Sequence, residues 1–472
     1  MPVGAWQLIY QHILSHRGLT TPPSVFDRRS NSGYMSAKRV DGWVYKIDPE
    51  FPAGGAPCVE GVHAFLGGFA NIPSKKLPGV TQMVLETYTR TEIRDDYLDY
   101  FPGLECLKIA SSVPPKLPPG LKQLCLSGYT CDVFSGEWPC PSLEILALEP
   151  AILAENSTLS GLPSVLRRLT RLHTLWLPTV DANENLMDAI RGMQNLSDLC
   201  LRRAKGNMPR VKRLSVGALD SLPPCLERLE FTGAWLQLPD AALPANLVEL
   251  DLRGCSNPPW GGRLGQVVEG LPSLRTLGFA MPTASDVRDG RVTGEEFQFL
   301  RNRVLKHLML SRLSPGSVDL LQPTVRAEIV TASCLERARP DFYVPDFYNS
   351  GSVIQLLEKI NHDDLKTLRV LPPFPVIVFE GLTAALARIH IRRSGACPTL
   401  EVPYSCFEVD RWYNVNSLNF GSGRRCVVKV RLEPKNHVDY PLQVKLLKES
   451  AEDLDNVDFE CSRWQDRVKR SV

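Results

Sequence analysis

Leu104-Glu-Cys-Leu107-Lys-Ile109 is followed by Leu121-Lys-Gln-Leu124-Cys-Leu126, then by Leu143-Glu-Ile-Leu146-Ala-Leu148 and Leu172-His-Thr-Leu175-Trp-Leu177. The last two apolar residues of each copy stand two apart, as one face of a β-strand requires, and the first stands three earlier where the chain enters the strand. One short strand cannot bury that face, whereas stacked copies can. Self-similarity over roughly 20 to 30 residues therefore reads as a one-dimensional array. The pattern continues through Leu196/Leu199/Leu201, Val211/Leu214/Val216, Leu226/Leu229/Phe231, Leu247/Leu250/Leu252, Leu274/Leu277/Phe279 and Leu305/Leu308/Leu310. Val80/Met83/Leu85 reads as a first copy. After a gap come Leu365/Leu368/Val370, Leu386/Ile389/Ile391 and Val415/Leu418/Phe420, fourteen copies in all.

Seven copies are preceded by an apolar residue and a proline: Leu77-Pro78, Phe101-Pro102, Leu117-Pro118-Pro119, Trp138-Pro139, Leu222-Pro223-Pro224, Leu243-Pro244 and Leu271-Pro272. Proline fixes φ, offers no N–H and pushes its predecessor out of the helical region, so it ends a returning segment and starts the next strand. Return segments vary in length. Longer ones carry helical patterns, with Leu186, Ile190 and Met193 on one face before Leu196 and Leu264, Val267, Val268 and Leu271 before Leu274. Thr293-Gly-Glu-Glu296 has capping-box spacing and predicts a helix carrying Phe297, Leu300 and Val304.

In these features the chain resembles the leucine-rich-repeat family, especially irregular members with a Leu-Pro-x-x-Leu opening such as Leu117 to Leu121, Leu222 to Leu226 and Leu243 to Leu247. It departs from the most regular form of that family, because the Asn or Cys that follows the strand there is mostly missing; Cys255 after Leu252 is the nearest match. The resemblance implies an α/β solenoid with a curved parallel sheet on its concave face, a mixed helical and irregular convex face, and a non-enzymatic role in binding a protein partner. The organisation expected is an N-terminal cap or F-box-like region over 1–77, a main array over 78–310, an insert with a degenerate repeat near Val325 to Val330 over 311–364, further repeats over 365–420 and a C-terminal cap over 421–472. The insert contains a tandem Pro-Asp-Phe-Tyr at 340–343 and 345–348, readable as a docking element or as rings packed on the flank.

Composition agrees with ordinary globular material: 472 residues, 43% apolar, 22% charged, net charge +2. That balance supplies no general reason to expect nucleic acid or an acidic membrane, and no apolar run reaches the ~18 residues of a membrane span. The first thirty residues lack a signal-peptide pattern. Thirteen cysteines without paired spacing suggest reduced thiols and a cytoplasmic location, with the nucleus as the other reading. Chemistry-bearing motifs are weak. His12 and His16 have ligand spacing but no third ligand, Cys-x-x-Cys is missing, and Gly421-Ser-Gly423 lacks the later glycine of a dinucleotide loop. No catalytic residue, metal or cofactor is expected.

Residues flanking the middle leucine of each copy should point away from the buried set, onto the concave sheet. Apolar Ile145 and Trp176 there adjoin a charged stretch of Asp198, Arg213, Arg228, Glu230, Glu249 and Asp251, arranged as an apolar anchor with a polar surround. Arg202, Arg203, Lys205, Arg210, Lys212 and Arg213 form a basic cluster, readable as a site for an acidic partner or as a solvated loop. The opening of the chain resembles an F-box opening, with Pro2, Trp6, Ile9 and Ile13 matching in place and Gly4 where the acid usually stands. That resemblance implies, as an alternative, a substrate receptor of a cullin ubiquitin ligase that binds a Skp-type adaptor through those four residues.

Overall fold

The computed structural model describes residues 39–40, 43–44, 61–66, 76, 78–87, 96–110, 116–129, 134, 138, 140–150, 161–178, 184–202, 222–232, 243–254, 263–282, 284–290, 292–321, 325–334, 351–371, 398–403, 426–431 and 457–462. They fall into two compact units, one within 14–234 and one within 235–472.

In the first unit the strands are β1 Arg39–Val40, β2 Trp43–Val44, β3 Gly61–Leu66, β4 Gln82–Thr87, β5 Cys106–Ala110, β6 Gln123–Tyr129, β7 Ile145–Pro150, β8 Thr174–Pro178, β9 Asp198–Arg202 and β10 Arg228–Thr232. β1 and β2 form an antiparallel pair. From β2 onward each strand lies parallel to the next in chain order. The second unit repeats the arrangement with β11 Glu249–Gly254, β12 Thr276–Ala280, β13 Leu305–Leu313, β14 Ala327–Cys334, β15 Thr367–Leu371, β16 Thr399–Pro403, β17 Cys426–Arg431 and β18 Val457–Ser462, all parallel. Consecutive parallel neighbours with short return segments make an open, solenoid-like α/β sheet.

The register explains the periodicity. Leu107, Leu124, Leu146, Leu175, Leu199 and Leu229 stand directly opposite one another on successive strands, each no more than 1% exposed. Leu250, Leu277, Leu308, Val330, Leu368 and Leu400 do the same in the second unit, each fully buried. Burying each such side chain contributes about 1.5–3 kcal/mol before chain entropy is subtracted. Because the period of a strand is two, a one-residue slip would turn every one of these leucines outward, which holds the register.

A turn closes immediately before most strands, and the first repeat leucine donates its N–H to the carbonyl three residues back: Leu104 to Phe101, Leu121 to Pro118, Leu143 to Cys140, Leu172 to Leu169, Leu196 to Met193, Leu226 to Pro223, Leu247 to Pro244 and Leu274 to Leu271. Pro102, Pro119, Pro141, Pro224 and Pro272 occupy the second position of their turns, where the ring presets φ and no N–H is needed. The next two N–H groups converge on one carbonyl of the preceding strand, as when Lys122 and Gln123 both donate to Glu105, and Glu144 and Ile145 both donate to Lys122. Side chains tie turn to turn as well. Cys140 Sγ donates to the Pro118 carbonyl, Asn195 Nδ2 to Thr170 and Cys225 Sγ to Leu196.

Helices occupy the longer returns, as expected from Leu186 and Ile190, which are buried on Glu184–Arg191, and from Leu264 and Val268, buried on Arg263–Glu269. The capping-box segment differs. It forms a 3-10 helix over Gly294–Leu300, and Thr293 is extended without a side-chain cap bond. A three-residue turn brings Phe297 and Leu300 to one side, and both are buried, while Val304 lies beyond the helix, 44% exposed.

The sheet departs from the sequence pattern at several places. β9 pairs directly with β10, Leu199 opposite Leu229; the copy read at Val211–Val216 lies outside the described residues. β15 pairs directly with β16, which carries Leu400, and β16 with β17, which carries Val428, and the pairing continues to β18 within the segment read as a cap; the copies read at 386–391 and 415–420 lie outside the described residues. Within 311–364, β14 carries Ala327, Val330 and Ala332 opposite Leu305, Leu308 and Leu310. At the start, β3 pairs with β4 in the same parallel register, Val62 opposite Met83. On β13 one extra residue fits between Leu310 and Leu313, opposite Ala332 and Cys334, and Arg312 absorbs it with a φ of 59°.

Candidate functional site

Opposite the buried leucines, each strand presents two positions on the other sheet face. In the first unit the earlier of these carries Cys106, Gln123, Ile145, Thr174, Asp198 and Arg228, all partly exposed. The later one carries Lys108, Cys125, Ala147, Trp176, Cys200 and Glu230, and its relief is uneven: Cys125, Ala147 and Cys200 are 1% exposed, whereas Trp176 stays partly exposed. Trp176 lies directly opposite Ala147 on one side and Cys200 on the other. At the ~4.8 Å spacing of adjacent strands an indole overhangs a methyl or thiol neighbour, so small residues here form a floor on which one large ring stands. Ile145 is in register with Thr174, so the apolar surface spans β7 and β8.

Charges border this floor. Asp198 and Arg228 face each other across β9 and β10 with carboxylate and guanidinium 3.9 Å apart. At the entrance to the strands Glu105, Lys122, Glu144 and His173 alternate; Lys122 lies 2.8 Å from Glu105, and His173 lies 4.0 Å from Glu144. The Lys122 ammonium has its pKa raised by the hydrogen bond to Glu105 and by the same carboxylate's charge. These pairs are largely solvated and contribute little to stability.

The second unit uses its face differently. Asp251 is 7% exposed, and its carboxylate is forked by the Arg253 guanidinium at 2.7 to 3.1 Å while also accepting the Arg253 backbone N–H at 3.0 Å. A Cβ added at Gly278, on the next strand, would stand 2.6 Å from Asp251 Oδ1 and 3.0 Å from the Met309 methyl. The missing side chain is the space into which Asp251 leans. Arg369 and Glu401, in register on β15 and β16, make a second half-buried pair at 2.6 Å. His307 Nε2 shares a hydrogen bond of 2.7 Å with Thr331 Oγ1.

The expected patch is thus divided. Ile145, Trp176, Asp198, Arg228 and Glu230 lie on the predicted face of the first unit, and Glu249 and Asp251 on that of the second. Glu249 is partly exposed, but Asp251 does not present the solvated charge read from its position, because Arg253 two residues on shares its face and neutralises it. The same alternation that singled out Asp251 pointed to Arg253. Glu401 was missed because Cys397 stands where the first leucine of its repeat is expected; Arg369 follows Leu368 in a copy that was read, and the same alternation pointed to it. Arg213, Pro2, Trp6, Ile9 and Ile13 lie outside the described residues, as do His12, His16 and the tandem at 340–348.

Removing one partner of the Asp251–Arg253 fork leaves a half-buried charge. Asp251→Ala is expected to cost about 1–3 kcal/mol and lower the thermal midpoint, while Glu249→Ala stays within about 0.5 kcal/mol. Equal midpoints for the two variants would show that the fork carries no stability.

Two of the described thiols, Cys106 and Cys140, are held in their weakly nucleophilic protonated form. Burial, then the Glu105 charge, pushes the Cys106 thiol up to about 12, and burial alone pushes Cys140 up to about 12, so both stay protonated near neutral pH. Among the described residues no three His, Cys, Asp or Glu side chains gather to hold a metal ion, and no helix is long and apolar enough to cross a membrane. In comparisons with known proteins, no family model and no curated protein matches the chain.

Proposed function

We propose that this chain is a leucine-rich-repeat solenoid that acts as a non-enzymatic protein-interaction module, gripping a protein partner on the concave strand face. The observation that carries the reading is the contrast around Trp176: one partly exposed indole on a column of small buried residues, beside Ile145 and bordered by Asp198 and Arg228. A rigid aromatic standing on a floor of paired strands loses little conformational freedom on binding, and Trp is among the residues that dominate interface energies. The face is built from backbone ladders rather than loops, so it is preorganised. Thirteen cysteines without paired spacing support a reducing location, cytoplasmic or nuclear.

Affinity purification of the full chain with mass spectrometry identifies the partner; binding is then measured with Trp176→Ala. The expected result is a loss of about 2 kcal/mol, roughly thirtyfold in affinity, with the melting midpoint nearly unchanged. Undiminished affinity would remove Trp176 from the interface and this face from the proposal.

A further inference from the structure

Charge is not spread evenly along the chain. Residues 160–213 hold ten Lys and Arg against four Asp and Glu, a net +6, although the whole chain carries only +2 and the remainder is therefore net acidic. Within this stretch the helix Leu162–Leu166 is followed by Arg167, Arg168 and Arg171, and the segment 161–172 contains no acidic residue. All three arginines are exposed, and among the described residues none has a side-chain hydrogen bond or ion pair. Arg191 ends the helix Glu184–Arg191, which packs against Leu162–Leu166, and is exposed as well, 3.3 Å from Asp188.

A helix C-terminus favours cations, which accounts for Arg167 and Arg191. It does not account for Arg171, which sits in the turn Leu169–Leu172 that opens β8, nor for the presence of Arg168 beside Arg167 with no carboxylate to compensate either. Three exposed arginines within five residues concentrate positive charge, and each presents a planar fork shaped for bidentate oxygen acceptors. They lie on the return side of the repeat, away from the strand face that carries Trp176. The sequence continues the excess with Arg203, Lys205, Arg210, Lys212 and Arg213, which lie outside the described residues.

We infer that Arg167, Arg168 and Arg171 form a second contact surface, which binds an Asp- or Glu-rich segment of a partner protein. Charge complementarity specifies the occupant, and the sequence around it selects carboxylates over a nucleic acid: 160–173 and 179–213 contain no Phe, Tyr or Trp, so the returns offer no ring on which a base could stack. This surface rests on the interaction-module reading only in its purpose. It shares no residue with the Trp176 floor, so Trp176→Ala leaves it intact and the two proposals fail separately.

The test uses the full chain and a fluorescent Asp/Glu-rich peptide, followed by anisotropy at about 50 and about 200 mM salt, with the Asn/Gln counterpart peptide and single- and double-stranded oligonucleotides of matched charge as competitors. The acidic peptide is expected to bind and the amide counterpart not, with affinity falling steeply as salt rises. Arg167→Gln, Arg168→Gln and Arg171→Gln together should weaken the peptide roughly tenfold or more, the sum of three exposed charge pairs, without shifting the melting midpoint. Lysine at the same positions should restore part of the loss. The inference is overturned if the parent chain ignores the acidic peptide, if the triple variant binds it as the parent does, or if an oligonucleotide displaces the peptide at far lower concentration than the unlabelled peptide itself.

Discussion

Leu175→Asp is expected to abolish the cooperative unfolding transition of the first unit. Leu175 is fully buried between Leu146 and Leu199, its in-register neighbours on β7 and β9, with Leu172 and Leu177 on the same side. A carboxylate there meets only hydrocarbon, and whether it ionises or takes up a proton it costs several kcal/mol, a large share of the 5–15 kcal/mol that keeps a domain folded. Because each repeat is held by its neighbours, the loss spreads along the array rather than staying at one strand. Thr174→Asp, one residue earlier and on the partly exposed face, should cost no more than about 1 kcal/mol. Circular dichroism melts of the two variants check the register directly. If Leu175→Asp melts like the parent, the strand faces have been assigned the wrong way round.

Gly103→Ala should be nearly as damaging, and its contrast with Gly120→Ala isolates the cause. Both glycines precede the first leucine of a repeat, Leu104 and Leu121, in equivalent turns. At Gly103 an added Cβ would stand 2.2 Å from the Pro78 carbonyl oxygen of the preceding turn, and that atom is backbone, so the two turns must separate. Overpacking of this kind costs about 1–3 kcal/mol. At Gly120 nothing lies within 4 Å of the same added atom, and neither glycine has a positive φ. Ala there only narrows the unfolded ensemble and should stabilise by about 0.4–1 kcal/mol. Opposite shifts in the denaturation midpoint are therefore expected from the same substitution at matched sites. Equal shifts would mean that the close stacking of the turns at 78 and 103 contributes nothing.

Much of the parallel sheet was readable along the chain because its determinants are local. An apolar residue two residues before another, with a leucine three residues earlier and a proline ahead of it, specifies which side of a strand is buried and where the strand begins, and the copies opening at Leu104, Leu121, Leu143, Leu226, Leu247 and Leu274 follow that rule. Where the rule loosens, strands go unread. Leu400 and Val402 stand on β16, paired with β15, although Cys397 breaks the pattern ahead of them. Val428 and Val430 had Arg425 in place of the first leucine and were left to a cap, although β17 is paired on both sides.

Parallel strands stacked in chain order, the inward face of each, the turns that start them and the position of Trp176 on the other face were legible along the chain, because each depends on residues within one repeat. Packing between repeats settles which copies become neighbours, that Ala147 and Cys200 are covered while Trp176 stays partly exposed, that Asp251 spends its charge on Arg253 in the space left by Gly278, and that Gly103 but not Gly120 is held by contact. These depend on side chains brought into register from repeats 17 to 38 residues apart. Local periodicity says which way a residue points, and the identity of the residue one strand away decides whether what it points into is solvent, a partner or a wall.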